Sequence, residues 1–464
     1  MPVPLAGGGK YCMRRATSKT VMSSYPCMPC AARFTQEHSQ VAEDVTLPSE
    51  VTDAEKAALQ TLKGLLTDDI VEYPNSDSMP DVFGDLRLLM FLKAAKGDAE
   101  QAAKQFKDFL AWRVERNVDS IRADIIERKL SFDDIPNLKK VSYYLPLNAC
   151  LRNAAGEPLR AKDGSFIYCE RLGMIESNGF VGEVTDDEFS EMSIYLSELG
   201  QLVIHNHYQR TGELASFMLA IDVGGAPKSA WSNPKVCKTI VNRLGSGGRL
   251  RETYYPQQVS KVCFLNAPWL FDAFFKLLKP FFPKDSLSKV NIFRPAENGI
   301  LQLVDEKNLP EFLGGSCDSP LGQVPETGRL LNDRFGLGST GVETVTIAKG
   351  QSMQIPLTVK KGDIVSWAFG VESQDINFGV EVRSQRDGQI TSEFVVPLGK
   401  CSSHRSVRGE YSVEDTEARL VLIFDNTGSW VRSKTVHYRY DITSADEAAE
   451  LDAEVSAVQP SYCV

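Results

Sequence analysis

The stretch KVCFLNAPWLFDAFFKLLKPFFP, Lys261–Pro283, sets two patterns side by side. Its first part, KVCFLNAP, is a short apolar run stopped by turn formers, which reads as a strand. Its second part is helical. Asp272, Lys276 and Lys279 fall at i, i+4 and i+7, the spacing that puts three side chains on one helix face, and nearly everything else is apolar. Pro268 suits the first turn, where its missing N–H costs nothing, and Pro280 ends or kinks the helix about a dozen residues later. Such a helix is too short to cross a bilayer, which takes ~20 apolar residues. It belongs in a core, or it has one face on protein and another on something that is not water.

Working outward, FIYCERLG (Phe166–Gly173) and FMLAIDVGG (Phe217–Gly225) are further apolar runs ended by glycine, with a helical pattern from Phe189 to Tyr208 between them. Another helix precedes KVCFLNAP, and SKVNIF follows the opening helix. Strands alternating with helices predict an open α/β sheet with crossover helices over residues 136–318. Residues 51–135 repeat leucine and phenylalanine at helical spacing, as in Leu59, Leu62, Leu65 and Leu66, and predict a helical subdomain. A Gly, Pro and Ser-rich linker, 319–340, leads to a change of period. In TVHYRYDI, Val436, Tyr438, Tyr440 and Ile442 share one face, and several such runs predict an all-β sandwich over 341–443. The tail, 444–464, carries Asp446, Glu447, Glu450, Asp452 and Glu454 and reads as an acidic, solvated helix or coil.

The chain has 464 residues, 42 % hydrophobic and 24 % charged, an ordinary globular composition with a net charge of -10. No run of 18 apolar residues occurs. Ten cysteines, among them Cys169, Cys237 and Cys263 in apolar surroundings, suit a reduced, cytoplasmic protein. Cys27-Met-Pro-Cys30 has half the spacing of a zinc site and no second pair nearby, so no metal is expected. Residues 1–50 lack periodicity and are expected to be disordered; Lys10, Arg14, Arg15, Lys19 and Arg33 make them basic. Two readings of this leader stand: an organelle transit peptide, or an arm that rests on anionic membrane or is acylated at Cys12, Cys27 or Cys30.

Catalytic motifs are scarce. His205 and His207, two apart on a helix, point in different directions. GSGGR (Gly245–Arg249) lacks the Lys-Ser/Thr of a phosphate loop, and no Gly-x-Ser-x-Gly elbow exists. A sheet with a poor polar inventory and a rich apolar one favours holding a ligand over transforming it, so no enzyme and no cofactor are expected. No acid lies between Asp222 and Glu252, whereas Lys235, Lys238, Arg243, Arg249 and Arg251 do, with Lys276 and Lys279 following. That basic set is read as facing an anionic membrane, where each Lys or Arg is worth ~1 kcal/mol. No nucleic-acid-binding module accompanies it.

LRLLMFLKAAKGDAEQA (Leu86–Ala102), KDGSFIYCERLG, YYPQQVSKVCFLNAPWLFDAFFKLLKPFF (Tyr254–Phe282), SKVNIF and NLPEFLGG (Asn308–Gly315) together resemble the CRAL-TRIO, or Sec-fourteen-like, lipid-binding and lipid-transfer proteins. LVLIFDNTGSWVRSKTVHYRYDI (Leu420–Ile442) is similar to the GOLD domain, an arrangement shared with tocopherol-associated proteins and patellins. The resemblance implies one phospholipid or other hydrophobic lipid in a deep pocket, exchanged at membranes through a mobile gate helix matching Trp269, Leu270, Phe271, Phe274, Phe275 and Leu278. It also implies a headgroup site at Ser286 and Lys289, beside Tyr254 and Tyr255. The acid that phosphatidylinositol-binding members carry after Tyr-Tyr-Pro is Gln257 here. The arginines of the usual helical motif are absent from Leu88–Ala95. A peripheral membrane protein of the cytoplasm, on Golgi or endosomes, is expected, with GOLD docking a membrane or protein partner. An alternative is a lipid-sensing trafficking or signalling adaptor working through GOLD.

Overall fold

Leucines spaced for one helix face assemble the first unit of the computed structural model, which describes residues 47–48, 51–145, 148–153, 157–175, 177–224, 233–281, 284–294, 299–309, 313, 315–317, 341–386, 389–402, 407–414 and 417–458. The leader except residues 47 and 48, with its cysteines, and all of the linker lie outside the described residues. Helix α1 (Asp53–Glu72) starts at a capping box, Thr52 with Glu55. It packs Leu59, Leu62 and Leu66 against Phe91 of α2 (Asp85–Ala94) and Phe106 and Phe109 of α3 (Ala99–Glu115); α4 (Val118–Arg128) follows.

Five strands form the sheet in the order β1 (Asn148–Cys150), β2 (Phe166–Glu170), β3 (Phe217–Asp222), β4 (Val259–Leu265) and β5 (Val290–Ile292). Only β1 runs antiparallel; β2 to β5 are parallel, each pair joined through a helix. These are α5 (Asp186–Thr211), α6 (Pro234–Tyr254) and α7 (Phe271–Leu278). Alternation divides each strand between two cores. Phe166, Tyr168, Phe217, Leu219 and Phe264 join the helices, whereas Ile167, Cys169, Met218, Ala220, Cys263 and Leu265 pack under Leu151, Ile300, Val304 and Leu309 on the other face.

The glycines of GSGGR lie inside α6, and the first of them serves packing. A Cβ on Gly245 would stand 2.4 Å from the Phe281 ring, so only glycine lets that ring sit against the helix.

Eight strands form the predicted sandwich. One sheet has the order β10 (Gln389–Ser402), β9 (Asp375–Arg386), β12 (Glu417–Asp425), β7 (Ser352–Lys360); the other has β11 (Val407–Ser412), β8 (Ile364–Val371), β13 (Lys434–Thr443), β6 (Glu343–Ile347). Phe369, Phe378, Phe424 and Tyr438 meet between them. The period of two holds inward at Val436 and Tyr438 and fails at Tyr440, which is exposed just past the last pair with β6.

The tail corrects the sequence reading. Ser444 caps helix α8 (Ala445–Ala457) one residue after β13, and Leu451, Val455 and Val458, at i, i+4 and i+7, are buried in the same core as the α7 phenylalanines. The expected solvated end is amphipathic, and its apolar edge is docked.

Candidate ligand site

Between the helix side of the sheet and α5 and α6 lies a small cavity of about 30 Å³ lined by Phe132, Tyr168, Leu196, Gly200, Phe217, Leu219, Arg251, Gln258 and Val259. That is room for about one or two water molecules, far too little for a two-chain lipid. Glu170, in strand β2, is buried, and desolvation pushes its carboxyl above the ordinary value against the pull of Arg251.

Helix α7 packs on β4, outside the lining of this cavity. Phe271, Ala273, Phe274, Phe275, Leu277 and Leu278 are buried, while Asp272, Lys276 and Lys279 form the exposed stripe. Phe264 of β4 meets Phe271 and Phe275 at centroid distances of 4.8 and 5.6 Å. The entry to α7 is a built corner. Asn266 takes the left-handed conformation, φ 53°, and its amide donates to Asp222 at 2.9 Å. Arg294 donates to the Pro268 carbonyl at 2.9 Å and pairs with Asp272 at 2.6 Å. The sandwich reaches the same corner: Glu410 of β11 accepts from the Trp269 N–H at 3.1 Å, and Arg408 donates to the Gly224 carbonyl.

A polar cluster sits just past α7. Ser286 Oγ donates to Glu252 Oε2 at 2.6 Å, and Lys289 Nζ stands 3.7 Å from Glu252 Oε1; Ser286 is buried and the other two are half-buried. Gln257 is exposed, in a left-handed turn at φ 62°. Tyr254 and Tyr255 anchor the helical unit. Tyr254 stacks on Trp112 at 4.1 Å, and the buried Tyr255 hydroxyl donates to Glu198 at 2.7 Å, with burial and then Glu198 holding its pKa well up.

Residues 158–315 match the model of the CRAL/TRIO domain. They form a CRAL/TRIO domain. Over 243 residues the chain is 27 % identical to the phosphatidylinositol/phosphatidylcholine transfer protein SFH11 of Arabidopsis thaliana, covering 52 % of this chain and 59 % of that protein. Over 241 residues it is 25 % identical to the Sec14 cytosolic factor of Schizosaccharomyces pombe, covering 51 % and 77 %. The solved structure of Sfh5 aligns with 57 % of this chain and 88 % of its own at 17 % identity and a TM-score of 0.41. The chain thus spans about three fifths of the length of its Arabidopsis relative.

The basic set predicted to face a membrane is divided by the CRAL/TRIO domain. Lys235, Lys238, Lys276 and Lys279 are exposed. Arg243 is not available to a surface: it is 6 % exposed and donates to the Phe180 and Val184 carbonyls and to Asp186. Arg251 lines the cavity, and Arg249 lies 5.5 Å from the Phe281 ring centroid. No helix among the described residues is long and apolar enough to cross a membrane.

Sequence reading missed three groups. Glu252 was visible only as the end of an acid-free run; nothing in spacing ties it to Ser286, 34 residues on. Arg87 donates to Gln201 and to the Tyr254 carbonyl, both at 2.7 Å, and Arg113 binds Glu198 at 2.8 Å. These two buried cations join the helical unit to α5, and Arg87 stands one residue before the motif judged to lack its arginines.

Proposed function

We propose that this protein takes up one phospholipid between the sheet and helices α5, α6 and α7 and exchanges it at membranes. The observation that carries this reading is α7 itself: a helix apolar on all but the stripe of Asp272, Lys276 and Lys279, packed against the sheet of a CRAL/TRIO domain. The names of the phosphatidylinositol/phosphatidylcholine transfer protein and the Sec14 factor point the same way. A lipid with ~30 methylenes carries about 25 kcal/mol of transfer free energy, at ~0.8 kcal/mol each, so extraction needs a pocket that replaces nearly all of it. In this reading the present packing is the closed form, and aromatic side chains of α7 fill the space that acyl chains take when the helix swings out.

Glu252, Ser286 and Lys289 are the proposed headgroup site. Lys289 supplies a cation for phosphate, Ser286 a hydroxyl, and Glu252 a charged acceptor for sugar hydroxyls, which the neutral Gln257 is not. Lys276 and Lys279 on α7, with Lys235 and Lys238 on α6, meet anionic lipid. On the sandwich, Trp430 and Val431 stand 88 % and 78 % exposed beside Arg432, a combination suited to the membrane interface. The sandwich is proposed to be a GOLD domain acting as that docking module. Native mass spectrometry with lipid extraction, followed by vesicle-to-vesicle transfer, tests the reading. An empty protein, or a Phe274→Asp, Phe275→Asp variant that transfers at the wild-type rate, overturns it.

The contact of Glu410 with Trp269 favours a second reading, in which the sandwich reports pocket occupancy to a protein partner. Deleting the sandwich separates the two: transfer in vitro survives for a carrier, whereas the adaptor loses its partner.

A further inference from the structure

We infer that α8 is a latch on the gate, released when the protein meets an anionic bilayer. This deepens, and rests on, the proposed lipid exchange.

The gate has two apolar flanks. One packs on β4 and α6; α8 contributes to the other, with Leu451, Val455 and Val458 in one core with Phe271, Phe274, Phe275 and Phe281. An outward swing of α7 therefore breaks contacts made by a segment nearly 170 residues later in the chain. The latch is held in place by the sandwich. Only Ser444 separates β13 from α8, and Gly362 of the β7–β8 turn lies so close to Ala445 that a Cβ there would stand 2.8 Å from the Ala445 Cβ.

The other faces of α8 carry Asp446, Glu447, Glu450, Asp452 and Glu454, and no basic residue occurs within the helix. Lys276 of α7 and Lys279 at its C-cap are exposed. An anionic surface attracts the lysines and repels the carboxylates, so the same field that brings the gate to the membrane pushes the latch away. Shedding α8 also uncovers the apolar side of α7 where a bilayer can receive it. A neutral bilayer lacks the repulsive half of this switch.

Hydrogen exchange of the full-length protein tests the latch without relying on transfer. In Leu451→Asp, Val455→Asp, the amides of 271–281 are expected to exchange roughly tenfold faster or more, within the usual range of coupling between sites. In the wild type, vesicles of phosphatidylcholine with phosphatidylserine are expected to deprotect 445–458 and 271–281 together, and vesicles of phosphatidylcholine alone to leave both protected. Unchanged gate exchange in the double variant, its tail amides being open, overturns the latch. So does a wild-type tail that stays protected on anionic vesicles while lipid is transferred. If the gate loosens as expected but neither protein carries lipid, the latch stands and the transfer reading falls.

Discussion

Gly245→Ala puts one methyl group between α6 and the residue that follows the gate helix. The built Cβ lies 2.4, 2.5 and 2.6 Å from three ring carbons of Phe281, where 3.4 Å is the start of ordinary contact, so the ring must retreat by about 1 Å. Alanine is worth about 1 kcal/mol over glycine inside a helix, and overpacking costs typically ~1–3 kcal/mol. If the core absorbed the strain, the net change would be a loss of at most ~2 kcal/mol in global stability. Phe281, however, follows the eight-residue helix α7 by three positions, so a displaced ring pushes on the end of the gate. Relief by opening weakens the closed state by ~1–3 kcal/mol, a ~5–150-fold shift toward open. The expected result is faster exchange at 271–281, a red-shifted Trp269 emission in a background lacking the other tryptophans, and faster lipid transfer, with little change in Tm. A variant with raised Tm and unchanged gate exchange would refute the reasoning, since propensity alone would then have decided the outcome.

Other perturbations follow from the same geometry. Burial holds the Glu410 carboxyl above its ordinary value, with the Trp269 N–H and Arg294 pulling it down and Asp272 pushing it up. The native state thus binds this proton more tightly than the unfolded chain, and stability falls as pH rises from the ordinary carboxylate value through the raised one. Glu410→Gln keeps an acceptor for Trp269 and is expected to be more stable than wild type near neutral pH, the difference shrinking toward pH ~4; thermal melts across pH check the sign. Glu252→Ala should lower phosphatidylinositol transfer about tenfold relative to phosphatidylcholine, the loss of a hydrogen bond to a charged group, and parallel transfer assays with an unchanged ratio would exclude Glu252 from the headgroup site. Arg243→Gln strands the Phe180 and Val184 carbonyls and should cost about 2–4 kcal/mol in denaturant unfolding, whereas vesicle affinity of the folded variant stays at the wild-type level. Trp430→Ala with Val431→Ser should leave Tm unchanged and weaken vesicle sedimentation about tenfold or more, as losing one or two inserted side chains implies.

Periodicity and punctuation in the sequence by themselves determined the elements of this protein. Glycine-ended apolar runs became β2 and β3, and the i, i+4, i+7 stripe of Asp272, Lys276 and Lys279 became the exposed line on α7. These signals are local, because one strand or helix face is written within a dozen residues. Pairings across long separations were left to the tertiary structure. Arg243 and Lys238 look alike as basic residues on α6, yet one faces carbonyls in the interior and the other faces water. Glu252 meets Ser286, and Glu410 meets Trp269 across 141 positions. Leu451, Val455 and Val458 were a thin apolar edge in an acidic tail until the sandwich set α8 down beside the gate. Burial depends on what the rest of the chain brings to a surface, and no window of sequence contains that partner.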